Sequence, residues 1–228
     1  VPIDARWLET ISIWGKTGTT EASHHVLLED VWMIGSMRYG IDVFNSYNVI
    51  LRRVVARFDG NIGVEPKSGI TFYGAVDTIT GSYDSMCQNC IVLDYNDAPL
   101  LSAGINQPHA TRNIKIYGSI ALNVPPSGFY VNNEAVPATG NDIINSVAWA
   151  TGGPGFAQRD IDSSMLTLID RFTAGNTAQG TAEWGSGAGI TTIKNSIFYN
   201  NNGQSNAGGD FNDYNWYYLS GTPQGSNY

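Results

Sequence analysis

The sequence predicts an all-β chain wound into a right-handed, single-stranded parallel β-helix of about eight or nine coils. Three observations predict it. Apolar-x-apolar runs recur at intervals of about 21–27 residues, as in Val49-Ile50-Leu51 and Ile114-Lys115-Ile116. Two residues after such a run stands, in most units, a Gly, Asn or Asp, the types that tolerate a left-handed backbone at a sharp bend. A Gly-led strand then closes the coil, as in Gly40-Ile41-Asp42-Val43 and Gly128-Phe129-Tyr130-Val131.

Each element follows in chain order. Residues 1–25 hold two short alternating strands, Ile3 to Leu8 and Ile11 to Trp14. Repeat units then start at Val26, Val49, Ile70, Ile91, Ile114, Asn141, Leu166 and Thr191. Their third residues are Leu28, Leu51, Phe72, Leu93, Ile116, Ile143, Leu168 and Ile193, all large and apolar, and these are assigned to the interior. The expected bend residues are Asp30, Arg53, Gly74, Tyr95, Gly118, Asn145, Asp170 and Asn195. One coil cannot bury its own inward side chains. Stacking coils about 4.8 Å apart pairs the strands in parallel and joins these residues into a continuous column. A last strand lies within Phe211 to Tyr218, so residues 1–228 read as a single domain. Neither end shows an amphipathic capping helix, which predicts that neighbouring subunits or further domains cover the open edges.

Composition narrows the function classes. The 228 residues carry a net charge of −8, with 42% hydrophobic, 14% charged and 26 Gly. A low-charge, turn-rich surface fits an extracellular all-β protein. The acidic balance argues against nucleic acid, whose phosphates need a basic footprint. No stretch approaches 18 apolar residues, so no membrane span is expected. The chain starts directly in strand-like sequence and reads as a mature or excised segment of a secreted protein. Cys87 and Cys90 lack a second pair for zinc and lack the following His of a haem motif. In an extended strand their Cα atoms stand about 10 Å apart, too far for a bond. A bend between them permits a local disulfide; buried thiols are the alternative.

The stretch Tyr39 to Gly74 carries the closest match to known chemistry. Gly40-Ile41-Asp42-Val43 is followed by Phe58-Asp59-Gly60 and then Asn61-Ile62-Gly63-Val64, and Arg112-Asn113-Ile114-Lys115 lies farther on. With these residues and the repeat, the chain resembles the parallel β-helix superfamily of pectate lyases and polygalacturonases. It departs from the polygalacturonase acids. Met37-Arg38-Tyr39 stands where an Asn-Thr-Asp belongs, Asp59 is the one acid that matches, and His24, His25 and His109 lack flanking glycines. Glycoside hydrolysis needs two cooperating carboxyl groups. The resemblance therefore implies polysaccharide binding or lyase chemistry instead.

A lyase of this kind implies an Arg or Lys base and a calcium ion held by aspartates. On that resemblance Arg38, Arg57 and Asp59 are the candidate catalytic residues, and Asp42 and Asp84 the candidate calcium ligands. Asp42, Arg52, Tyr73 and Tyr117 are the candidate substrate contacts. Tyr73 and Tyr117 fall on one expected outward ladder with Glu29 and Arg52, which continues into Ile144 and Ile169. Glu29 over Arg52 and Asp30 over Arg53 also fit plain surface salt bridges. The expected function is an extracellular β-helix that binds or cleaves a polysaccharide. The alternative is a structural or interaction segment of a surface fibre, adhesin or tailspike.

Overall fold

Alternating side chains and regularly placed bends fold the chain into three parallel sheets that share one interior. A computed structural model of the chain describes residues 11–16, 21–35, 39–58, 68–74, 81–95, 103–124, 127–132, 139–160, 166–185, 190–201 and 211–218. Every element among them is a strand, and every pairing is parallel to the corresponding strand one coil away. The first sheet has seven strands, from Ile11–Trp14 and Tyr39–Phe44 to Gln179–Gly185. The second has eight, from His24–Glu29 to Phe211–Asp213, and the third has eight, from Trp32–Ile34 to Trp216–Tyr218. The seven-stranded sheet limits the complete three-strand coils to seven, with a two-strand turn after them. The described residues thus hold fewer coils than the eight or nine expected.

The core is a set of aligned columns. Leu51, Cys87, Ile116, Ile143, Ile169 and Ile193 succeed one another in the second sheet. Ile41, Ile70, Ile105, Phe129 and Phe156 do so in the first. All of these are at most 2% exposed. The third sheet faces inward with small residues, Ala56, Val92, Ala121, Ala148 and Ala174. Small residues there let the first sheet approach. A Cβ placed on Gly128 would lie 2.7 Å from both the Ala148 Cβ and the Gly155 carbonyl oxygen. That close approach is the reason for the Gly-led strands.

A single left-handed residue turns the chain from the second sheet into the third. Asp30, Arg53, Asn89, Gly118, Asn145, Arg171, Asn195 and Tyr214 hold φ between 51° and 61° in this ladder. The following residue points inward. Ser146 Oγ accepts the Ser119 N–H at 3.2 Å and donates to the Ile144 carbonyl at 2.9 Å. Cys90 fills the same place one coil before Ser119. The Asn89 bend brings its Cα to 5.9 Å from that of Cys87, and the two form a fully buried disulfide.

The expected register needs correction in the middle of the chain. Ile70-Thr71-Phe72 belongs to the first sheet, where Ile70 follows Ile41, and Ile91 belongs to the third, where it follows Val55. The true successor of Val49 in the second sheet is Ser85, 36 residues on. The bends assigned to Gly74 and Tyr95 reduce to one at Asn89, and that at Asp170 moves to Arg171. Leu168 gives way to Ile169 as the inward residue, so Ile169 is no part of an outward apolar ladder; Asp170 is the outward neighbour of Ile144. The cause is physical. All three sheets alternate apolar and other residues, so alternation alone does not say which sheet a strand joins. The second-sheet strand that was missed carries Ser85 and Cys87 inward rather than large aliphatics. The Asn61-Ile62-Gly63-Val64 run lies outside the described residues.

The outer faces differ sharply. In the first sheet Asp42 and Thr71 are fully buried and Asn106 is nearly so. The third sheet turns two apolar columns to solvent. One runs from Trp32 through Val55, Ile91, Ile120, Val147, Thr173 and Ile197 to Trp216. The other runs from Ile34 through Arg57, Leu93, Leu122, Trp149, Gly175 and Tyr199 to Tyr218. The second sheet carries the trough described next.

Candidate functional site

The trough begins with an irregularity of the strand itself. In each of the first five strands of the second sheet, one residue departs to the left-handed region: His25, Asn48, Asp84, Asn113 and Gly140, with φ between 48° and 65°. Asn, Asp, His and Gly are the residues that take this conformation at least cost. The kink withdraws the next backbone N–H from the ladder. Side chains one coil on restore the bond: Ser85 Oγ accepts from Val49 N–H at 3.0 Å, and Asn141 Oδ1 accepts from Ile114 N–H at 2.9 Å. The kinked residues line up on the outside, where Asn113 Nδ2 donates to Asp84 Oδ1 at 2.7 Å.

Rows of side chains flank this polar column. On one side His24 stacks on Tyr47 and Tyr47 on Tyr83, each at a centroid distance of 4.9 Å. The Arg112 guanidinium continues the stack, 5.1 Å from the Tyr83 centroid. Stacking along the coil axis occupies the ring faces and leaves the edges outward. On the other side lie Leu27, Ile50 and Met86, followed by Lys115. Lys115 Nζ donates to Asp142 Oδ2 at 2.5 Å and to the Gly140 carbonyl at 3.0 Å. The kinked residues His25, Asn48, Asp84 and Asn113, with Leu27, Ile50, Met86 and Lys115, line an open groove of about 480 Å³, and the aromatic row runs beside it.

Beyond the apolar row comes the expected charge ladder. Arg52 Nε donates to Glu29 Oε1 at 2.6 Å, and Arg53 Nε donates to Asp30 Oδ1 at 2.7 Å. Arg53 Nη2 also reaches Glu29. The Arg52 hydrogen bond holds the Glu29 carboxyl below its usual range, and the Arg53 hydrogen bond does the same for Asp30. Both acids are thus kept ionised. A glycosidase acid needs the opposite, a raised carboxyl pKa. This cluster is built to pair charges.

The structure disperses the other predicted site residues. Arg38 and Asp59 lie outside the described residues. Asp42 sits in the first sheet, fully buried, and accepts a hydrogen bond from Trp14 Nε1 at 2.6 Å. Asp84 stands in the second sheet, so the two aspartates proposed for calcium do not share a face. Among the described residues, no three His, Cys, Asp or Glu side chains gather as metal ligands. Arg57 is in the third sheet, its Nε donating to Asp94 Oδ2 at 2.8 Å. Tyr73 ends a first-sheet strand and packs on Phe44 at 4.7 Å between ring centroids, away from Tyr117 in the second sheet. The Tyr117 hydroxyl accepts from Asn145 Nδ2 at 2.9 Å. Of the predicted contacts, Arg52, Asp84 and Tyr117 share the outer face of the second sheet, and Asp84 borders the groove.

Sequence reasoning passed over His24, Tyr47, Tyr83 and Asn48. A signal for them exists. A ring or guanidinium residue followed by a left-handed type recurs as His24-His25, Tyr47-Asn48, Tyr83-Asp84 and Arg112-Asn113, each before an inward residue. No protein-family model matches the chain, and no curated protein matches it.

Proposed function

We propose that the chain is an extracellular polysaccharide-binding β-solenoid, akin to the pectate-lyase-like superfamily, that holds a glycan along the trough of its second sheet. The observation that carries this reading is the pairing of two rows at strand spacing. Hydrogen-bonding groups of His25, Asn48, Asp84 and Asn113 run beside the apolar row of Leu27, Ile50 and Met86. A sugar chain offers the complementary pattern, hydroxyl edges beside C–H faces, and a pyranose ring advances the chain by close to one strand spacing. Apolar surface with a few placed polar groups is the usual make-up of a small-molecule site. The carboxylates nearest the apolar row, Glu29 and Asp30, are tied to arginines and serve as charge pairs, which supports a binding role for this face.

Calorimetric titration with neutral and uronic-acid oligosaccharides tests it. Binding to at least one class is expected, weakened about tenfold by Tyr83→Ala, which removes the ring stacked between Tyr47 and Arg112 beside the groove residue Asp84. Equal binding by the variant, or no binding by the wild type to either class, overturns the reading. A glycan-dependent rise in absorbance at the wavelength of an unsaturated uronide product would replace binding with lyase catalysis.

A further inference from the structure

The third sheet exposes more large apolar side chains than the second. Of the eleven exposed large apolar side chains among the described residues, six lie on its two outward columns: Trp32, Ile34, Leu122, Ile197, Trp216 and Tyr218. Arg57 is the one charged side chain in those columns, and it is neutralised by Asp94. In a chain of net charge −8 a face without net charge is the place where two copies meet with least repulsion.

We infer that this face is the interface of a homodimer, in which two copies pack their third sheets together about a two-fold axis. The area suits a second copy. Eight strands about 4.8 Å apart give a face about 34 Å long, and three-residue strands with splayed side chains give it a width near ~18 Å, or on the order of 600 Å². Two such faces bury about 1,200 Å², the lower bound of a stable specific interface. A patch of this size stands at the upper end of what a monomer leaves to water, and such patches are often functional.

The distribution of exposure sets the symmetry. Exposure is greatest at the two ends, with Trp32 at 70% and Trp216 at 53%. A two-fold axis between the fourth and fifth strands, Ile120–Leu122 and Val147–Trp149, lays the Trp32 end of one copy on the Trp216 end of the other. Both exposed ends are then covered at once. With equal strand spacing, that axis sets each strand of one copy opposite a strand of its partner. The trough of the second sheet lies on a different face and stays open, so assembly and glycan binding are separable.

Sedimentation of the full chain tests this. At about 100 μM, above the micromolar dissociation constant that an interface of this size supports, the wild type should sediment at twice the monomer mass. Ile120→Lys with Leu122→Lys places charges beside the axis and should weaken association at least about 100-fold, leaving a monomer with an unchanged strand spectrum. Thr173→Lys, which alters an already polar site of the same columns, is the milder second variant and should shift the equilibrium the same way. A monomeric wild type at that concentration overturns the inference, as does a trimer or larger assembly. A dimer that survives both lysine variants overturns it too. Tyr83→Ala should remain dimeric whether or not it binds glycan, so failure of the interface and failure of the glycan reading are told apart.

Discussion

The outer faces of the second and third sheets are separated by one residue of bend, yet they obey different rules. The second is irregular. Its left-handed residues break the ladder, side chains of the next coil repair it, and polar, aromatic and paired charged groups line the result. The third is regular, three residues per strand, apolar and almost without charge. The two share the core, so inward residues do not explain the contrast. What differs is the freedom of the outward positions. A solenoid needs only its inward columns and bends to fold, and each outer face is then open to its own chemistry.

Four perturbations break or sharpen that contrast. The largest expected effect strikes both faces together. Phe129 is fully buried and meets Phe172 edge-to-face at 5.7 Å, so Phe129→Ala should cost about 3–5 kcal/mol in chemical denaturation. Glycan binding and dimerisation should fail in parallel as the shared core loosens; loss of one with the other intact would show that the faces are held independently. Next comes the bend that joins them. Replacing Cys87 and Cys90 by Ser removes a short-range crosslink and should lower stability by about 2 kcal/mol. The measured free energy of unfolding under oxidising and reducing conditions checks this, with the double variant indifferent to reductant.

A smaller effect should stay on one face. Tyr83→Ala should weaken glycan binding about tenfold while leaving the sedimentation coefficient at its wild-type value. The smallest concerns the exposed ladder of Glu29, Asp30, Arg52 and Arg53. The arginines lower the carboxyl pKa values in the folded state, from 4.5 for Glu29 and 3.8 for Asp30. Stability from these groups is therefore present above those values and is lost as the pH falls through the lowered ones. Arg53→Ala should lower the thermal midpoint slightly near neutrality and flatten its fall below about pH 4, so that the two profiles converge in acid. A variant profile with the same acid slope would show that the ladder adds no stability.

Much of the fold was readable in the residues, and the reason is repetition. Leu51, Ile116, Ile143 and Ile193 were assigned inward and are inward. Asp30, Arg53, Gly118, Asn145 and Asn195 were assigned to bends and adopt left-handed φ. Each occurs in a local pattern whose physics is complete within one coil. The Glu29–Arg52 and Asp30–Arg53 pairs followed from the same register. The candidate site was far less readable. Asp42 looked available because its strand alternates, and only the assembled chain shows it buried beside Trp14. Tyr73 and Tyr117 looked aligned on one outward ladder because a 36-residue step was read as two shorter ones.

The sequence by itself determined that this protein is a parallel β-solenoid and where most of its bends fall. Side-chain alternation and left-handed residue types act over a few residues and need no distant partner. Only the tertiary structure decided which of the three sheets each strand joins. It likewise decided that the first sheet buries its outer polar groups, that the second opens a trough and that the third exposes an apolar face. Those outcomes depend on how far the chain travels between one strand and its neighbour in the next coil. A periodic pattern constrains that distance only where no residues are inserted.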